Sequence, residues 1–117
     1  MDIVLVSGDL MIGSRLAGVV QGCGGRLVTR RTTTDADAAS HDLAILDLQS
    51  IAADPAAAVA AARSAGARRV VAFGPHVDHV RLEAARRGGA DDVVSRGELL
   101  GSFPSLLARW VGPPSSG

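Results

Sequence analysis

The chain has 117 residues, enough for one domain with a buried core, and its 12 basic residues balance 12 acidic ones to a formal net charge of zero. That balance gives no general attraction to nucleic acid or to an anionic membrane, so direct nucleic-acid binding and membrane association are not expected. Hydrophobic residues make up 47% and aromatics only 3%, which calls for an aliphatic core. Cys23 is the single cysteine, which excludes an internal disulfide and a cysteine-based zinc site. Met1 to Val6 lacks a basic leader and reads as a strand, not as a signal peptide, and no apolar stretch approaches the ~18 residues that span a bilayer. A reducing, cytoplasmic setting is the expectation.

In chain order, Ile3–Val6 is a short apolar strand closed by Ser7-Gly8-Asp9. Leu10, Met11, Leu16, Val19 and Val20 recur at helical spacing up to Gln21, and Gly22-Cys23-Gly24-Gly25 stops that helix. Arg26–Thr29 is the second strand. Thr32-Thr33-Thr34-Asp35 caps a short, weak helix through about Ser40. The run Leu43–Leu48 is nearly unbroken in its hydrophobicity, as a strand buried on both faces must be, and it carries the carboxylate of Asp47.

Asp54-Pro55 opens an alanine-rich helix to Ser64, with the acidic cap ahead of the proline, and Gly66 ends it. Arg69–Phe73 is the fourth strand, Val77–Arg87 a helix stopped by Gly88-Gly89, and Asp92–Ser95 a short fifth strand. The last helix is expected to start at Ser102 as its cap, with Pro104 in the first turn and Phe103, Leu106, Leu107 and Trp110 as its buried stripe. Gly112 to Gly117 has linker composition, so residues 1–111 are expected to form the domain and 112–117 a linker-like or disordered tail.

Strands alternating with helices predict an α/β fold. Right-handed crossovers restrict it to a doubly wound, three-layer sandwich around a five-stranded parallel sheet, most simply in the order 2-1-3-4-5. Ligands of such sheets bind at the carboxyl ends of the strands. There the order gathers Ser7, Gly8, Asp9, Asp47, Gly74 and Arg96.

Asp42-Leu-Ala-Ile-Leu-Asp47-Leu and Gly89-Ala90-Asp91-Asp92, in that order on this topology, make residues 1–112 resemble the receiver domains of two-component response regulators. The resemblance places Asp47 at the phosphoacceptor position. It also implies Mg²⁺ as the ion that neutralises the site, held by hard oxygen donors, here Asp9 and Asp47. The chain departs from the family pattern around that position. The acidic pair after the first strand falls on Ser7 and Gly8, with Asp9 one place later. The hydroxyl at the end of the fourth strand falls on Gly74, the switch aromatic on Val93, and the lysine on Arg96, followed by Gly97 where the family has proline. The loop after the acceptor is Gln49-Ser50-Ile51-Ala52-Ala53.

A guanidinium is a planar fork that pairs with carboxylates, so an Arg96–Asp47 ion pair is expected to hold the site without phosphate. The reading that follows is an atypical pseudo-receiver, not an enzyme and needing no cofactor. It signals through protein–protein contact independently of phosphorylation. Its partner face is the surface of the helix over 77–87, the strand over 92–95 and the last helix, with Arg81, Arg86, Arg87, Val93 and Trp110. The partners implied are another protein or a downstream output domain, with a homodimer as a form common in the family. Two rivals stand beside it: a Mg²⁺-dependent phosphoacceptor at Asp47, and a small-ligand sensor using room left by Gly8 and Gly74.

Other motifs take structural readings. His76 and His79, with Asp78 between them, have the spacing of one helical face but no identifiable third metal ligand. Asp91-Asp92 is a turn and strand-start signature, and the arginine doublets lack interleaved aromatics.

Overall fold

Strands β1 (Asp2–Val6), β2 (Arg26–Arg30), β3 (Leu43–Asp47), β4 (Arg69–Gly74) and β5 (Asp92–Ser95) pair in parallel in the order 2-1-3-4-5, as the sequence predicts. The structure is a computed structural model describing residues 1–31 and 41–112. The helix expected near residues 32–40 and the tail at 113–117 lie outside the described residues. The described helices are α1 (Leu10–Gly22), α2 (Pro55–Ser64), α3 (His79–Arg87) and α4 (Arg96–Val111).

Successive strand side chains point to opposite faces, and both faces are covered. Leu43, Ile45, Val71 and Phe73 join Ile12, Leu16 and Val20 of α1 and Leu99, Phe103, Leu106, Leu107 and Trp110 of α4 in one core. Ala44, Leu46, Val70 and Ala72 face the other way, onto Ala58, Val59 and Ala62 of α2 and Ala85 of α3. Both phenylalanines of the chain lie in the first core, buried from solvent. Each contributes roughly 1.5–3 kcal/mol by leaving water.

The second core is built from small side chains, so its helices approach closely. A Cβ at Gly88, just past α3, would lie 2.5 Å from Ala56 Cα of α2. The next residue, Gly89, takes φ 97°, which L side chains rarely adopt. The two glycines therefore do different jobs, one making room and one making the turn.

The expected start at Ser102 is present as a break in the helical backbone, and a further helical segment precedes it, so that α4 runs from Arg96. Ser95 Oγ accepts the Glu98 N–H at 3.1 Å, the serine half of a Ser-x-x-Glu capping box. Ser102, at φ −133° and ψ 22°, is a kink two residues ahead of Pro104, whose ring cannot continue an unbroken ladder. Helix α3 likewise starts at His79, capped by Asp78, two residues later than expected. The early start of α4 has a consequence for the site, because it fixes Arg96 in the first turn at the carboxyl edge of the sheet.

Candidate functional site

Asp47 closes β3 and is 1% exposed. A carboxylate so deeply buried needs partners, and it has three. Ser7 Oγ donates to Asp47 Oδ2 at 2.7 Å, Ser50 Oγ to the same oxygen at 2.9 Å, and the Gln49 N–H to Oδ1 at 3.1 Å. The last contact, from the amide two residues on, is an Asx turn. Each serine hydroxyl also accepts one amide: Ser7 Oγ from Asp9 at 3.0 Å, and Ser50 Oγ from Gly8 at 3.0 Å. The loops after β1 and β3 are thereby tied together through the carboxylate between them.

Asp9 sits one layer farther out. Its Oδ1 accepts the Met11 and Ile12 N–H groups and caps α1. Its Oδ2 accepts Arg96 Nη2 at 2.9 Å, and Arg96 Nη1 reaches Gln49 Oε1 at 3.3 Å. The Arg96 hydrogen bond, with the α1 amides, holds the Asp9 carboxyl below its ordinary value of 3.8. The expected Arg96–Asp47 pair is thus replaced: the guanidinium takes the outer carboxylate, and serine hydroxyls and a backbone amide hold the inner one.

Gly74 is buried, and a Cβ there would stand 3.6 Å from Leu48 Cβ and from Leu82 Cδ2, in ordinary contact. Leucines line the place where a hydroxyl would emerge. A Cβ at Gly8 would meet Ser50 Oγ at 3.7 Å. Val93 is half-buried and packs against the core under α2 and α3.

The expected partner face requires two corrections. Trp110 is 3% exposed, inside the core under α1 and α4, and its indole N–H donates to Asp92 Oδ2 at 2.8 Å. Arg81 turns inward: its Nη2 donates to Leu48 O at 2.9 Å and to Ile51 O at 2.7 Å. Arg86 and Arg87 stay exposed, each paired with Glu83 one turn back.

Partial burial alone would push the Asp92 carboxyl up. Hydrogen bonds from Trp110, Arg109 and its neighbouring amide outweigh that and hold it below the usual range. Asp91 accepts the Val70 N–H and Arg63, so the two adjacent carboxylates serve separate structural contacts. Asp78 caps α3, accepting the Arg81 N–H.

Sequence reasoning misses three parts of this arrangement: the roles of Ser50 and Gln49, and the inward turn of Arg81. For the first two a signal is present, since Asp-x-Gln-Ser at a strand end is Asx-turn chemistry. Arg81 offers none, because its acceptors are backbone carbonyls.

Mg²⁺ takes hard oxygen donors, commonly one or two carboxylates with waters completing its shell. Asp9 is already matched by Arg96, and Asp47 already accepts three hydrogen bonds. Among the described residues, no group of three or more His, Cys, Asp or Glu comes together. A cation at this edge would compete with Arg96 for Asp9 and with the serine hydroxyls and the Gln49 amide for Asp47.

No protein-family model matches the chain, and no curated protein matches it in sequence. Solved structures do match in fold. A receiver domain of a sensor histidine kinase from Pseudomonas aeruginosa, with a magnesium ion in its active-site cleft, superposes with a TM-score of 0.75 at 16% identity, over 96% of this chain and 98% of that one. A response regulator receiver protein from Burkholderia phymatum gives 0.75 at 18% identity, over 99% and 98%. A CheY-like protein (tadZ) from Pseudomonas aeruginosa gives 0.71 at 21% identity, over 100% and 98%. The chain is similar to response-regulator receiver domains, and its fold is the flavodoxin-like receiver fold.

Proposed function

We propose that the protein is a signal-transduction module of receiver type that works by protein–protein contact and does not depend on phosphorylation of Asp47. One observation carries this reading: the site is satisfied from within. Asp47 is closed in by Ser7, Ser50 and the Gln49 amide, and Arg96 supplies the positive charge that a metal ion would bring to Asp9. Phosphoryl transfer to a carboxylate needs an approachable oxygen and a cation to offset like charges. Here both Asp47 oxygens are engaged, and the nearby cation is committed to Asp9.

In this reading residues 1–111 are a non-enzymatic cytoplasmic signalling domain. Its partner face runs over the exposed parts of α3 and α4, with Arg86, Arg87 and the half-buried Val93. The partner is another protein or a second copy. Among the described residues no helix is long and apolar enough to cross a membrane.

The test is intact-mass analysis after incubation with Mg²⁺ and a small phosphodonor such as acetyl phosphate, beside an Asp47→Asn control. The expected result is no phosphoryl gain on either protein. A gain present in the parent and absent in Asp47→Asn would overturn the reading and establish a working phosphoacceptor.

A further inference from the structure

Arg81 lies on the first turn of α3, yet its guanidinium is directed at the loop that follows Asp47. Its Nη2 donates to Ile51 O at 2.7 Å and Leu48 O at 2.9 Å, and lies 3.5 Å from Ala53 O. The same loop carries the Gln49 amide and the Ser50 hydroxyl that hold Asp47. At its other end, Arg81 gives its backbone N–H to the Asp78 cap at 3.3 Å, and its Nε stands 3.9 Å from the same carboxylate. The bonds are contiguous: Asp47, loop 48–53, the Arg81 guanidinium, and the capped first turn of α3.

Bonds from a cation to backbone carbonyls have no side-chain freedom on the acceptor side. A movement of the loop by a few tenths of an ångström must either drag the guanidinium or break the contact. We propose that Arg81 is a positioning residue that couples the Asp47 site to the first turn of α3, so that a change in the bonding of Asp47 is felt at His79–Leu82. The inference does not rest on the proposed function: it requires neither phosphorylation of Asp47 nor its absence.

Coupling of this kind is a difference between two perturbations and is read as one. Amide ¹⁵N–¹H spectra of the whole chain are compared for the parent and Asp47→Asn, and again for Arg81→Gln with and without Asp47→Asn. Asn at position 47 keeps the size of the side chain and loses an acceptor, so the loop amides 49–53 should shift in both backgrounds. At His79–Leu82 the shifts caused by Asp47→Asn should be present in the parent background and lost in the Arg81→Gln background. Arg81→Lys, which keeps a cationic donor, should restore part of them. A residue that only fastens the loop would lower stability without changing how far the Asp47→Asn shifts reach. The proposal is overturned if those shifts are absent from His79–Leu82 in the parent, a comparison that needs no Arg81 variant to fold. It is equally overturned if they persist undiminished in Arg81→Gln.

Discussion

Ser7 and Ser50 each direct their one hydroxyl proton to the same oxygen of Asp47. With the acid buried, losing either donor leaves that oxygen short of a partner. Ser7→Ala should therefore cost about 1–3 kcal/mol, read from the urea midpoint, while Ser7→Thr, which keeps the hydroxyl, should cost less. Asp9 behaves differently, because it is half-exposed and its role is spread over a helix cap and an ion pair. Its carboxyl and that of Asp92 both titrate below their unfolded value of 3.8. Groups with depressed folded values contribute stability that is complete above the unfolded value and lost as pH falls through the folded one. The contribution of these two groups should thus be flat from neutrality to about pH 4 and decline below it. Asp9→Asn keeps a capping oxygen but does not titrate, so its acid decline, followed by urea melts at stepped pH, should be shallower than that of the parent.

The end of α3 and the far end of α4 show how elements are fixed by single contacts. Gly88 has an ordinary φ, so its importance is steric: a methyl there would press on the α2 backbone at Ala56. Gly88→Ala should destabilise by about 1–3 kcal/mol through overpacking, whereas Gly97→Ala, where a Cβ meets nothing within 4 Å, should be neutral or favourable inside its helix. At α4, the only tryptophan docks on β5 through Asp92. Its emission should change as acid protonates Asp92, ahead of the loss of the helix signal in circular dichroism. An emission unchanged until global unfolding would contradict that role. The strands were legible in the sequence because a central parallel strand has no solvent face, which forces runs such as Leu43–Leu46 and Val70–Phe73. The start of α4 was not, because Ser95 and Glu98 flank Gly97 and the glycines at 97 and 101 suggest a loop. Their cap becomes visible only once β5 is seen to deliver Ser95 to the helix.

At the scale of the molecule, alternation and handedness point to a doubly wound sheet, the order 2-1-3-4-5 is the simplest they allow, and it gathers Ser7, Asp9, Asp47 and Arg96 at one edge. What it could not give was who pairs with whom. Arg96 and Asp9 are 87 positions apart, and Arg96 reaches Asp9 because Asp47 lies deeper, behind two serines that no charge count would single out. The same holds for Arg81, whose acceptors are carbonyls common to every residue, and for Trp110, whose buried stripe position outweighs its place beside an exposed arginine. The inner arrangement around Asp47 is closed. Titrating the full chain with Mg²⁺ and then beryllofluoride, a mimic of the aspartyl phosphate, tests it in one series of ¹⁵N–¹H spectra. The prediction is that the amides of Asp9, Asp47, Gln49 and Arg96 do not move at millimolar concentrations of either. Saturable shifts at those residues, spreading to Val93 and α3, would contradict it and make the protein a phosphorylation-responsive receiver.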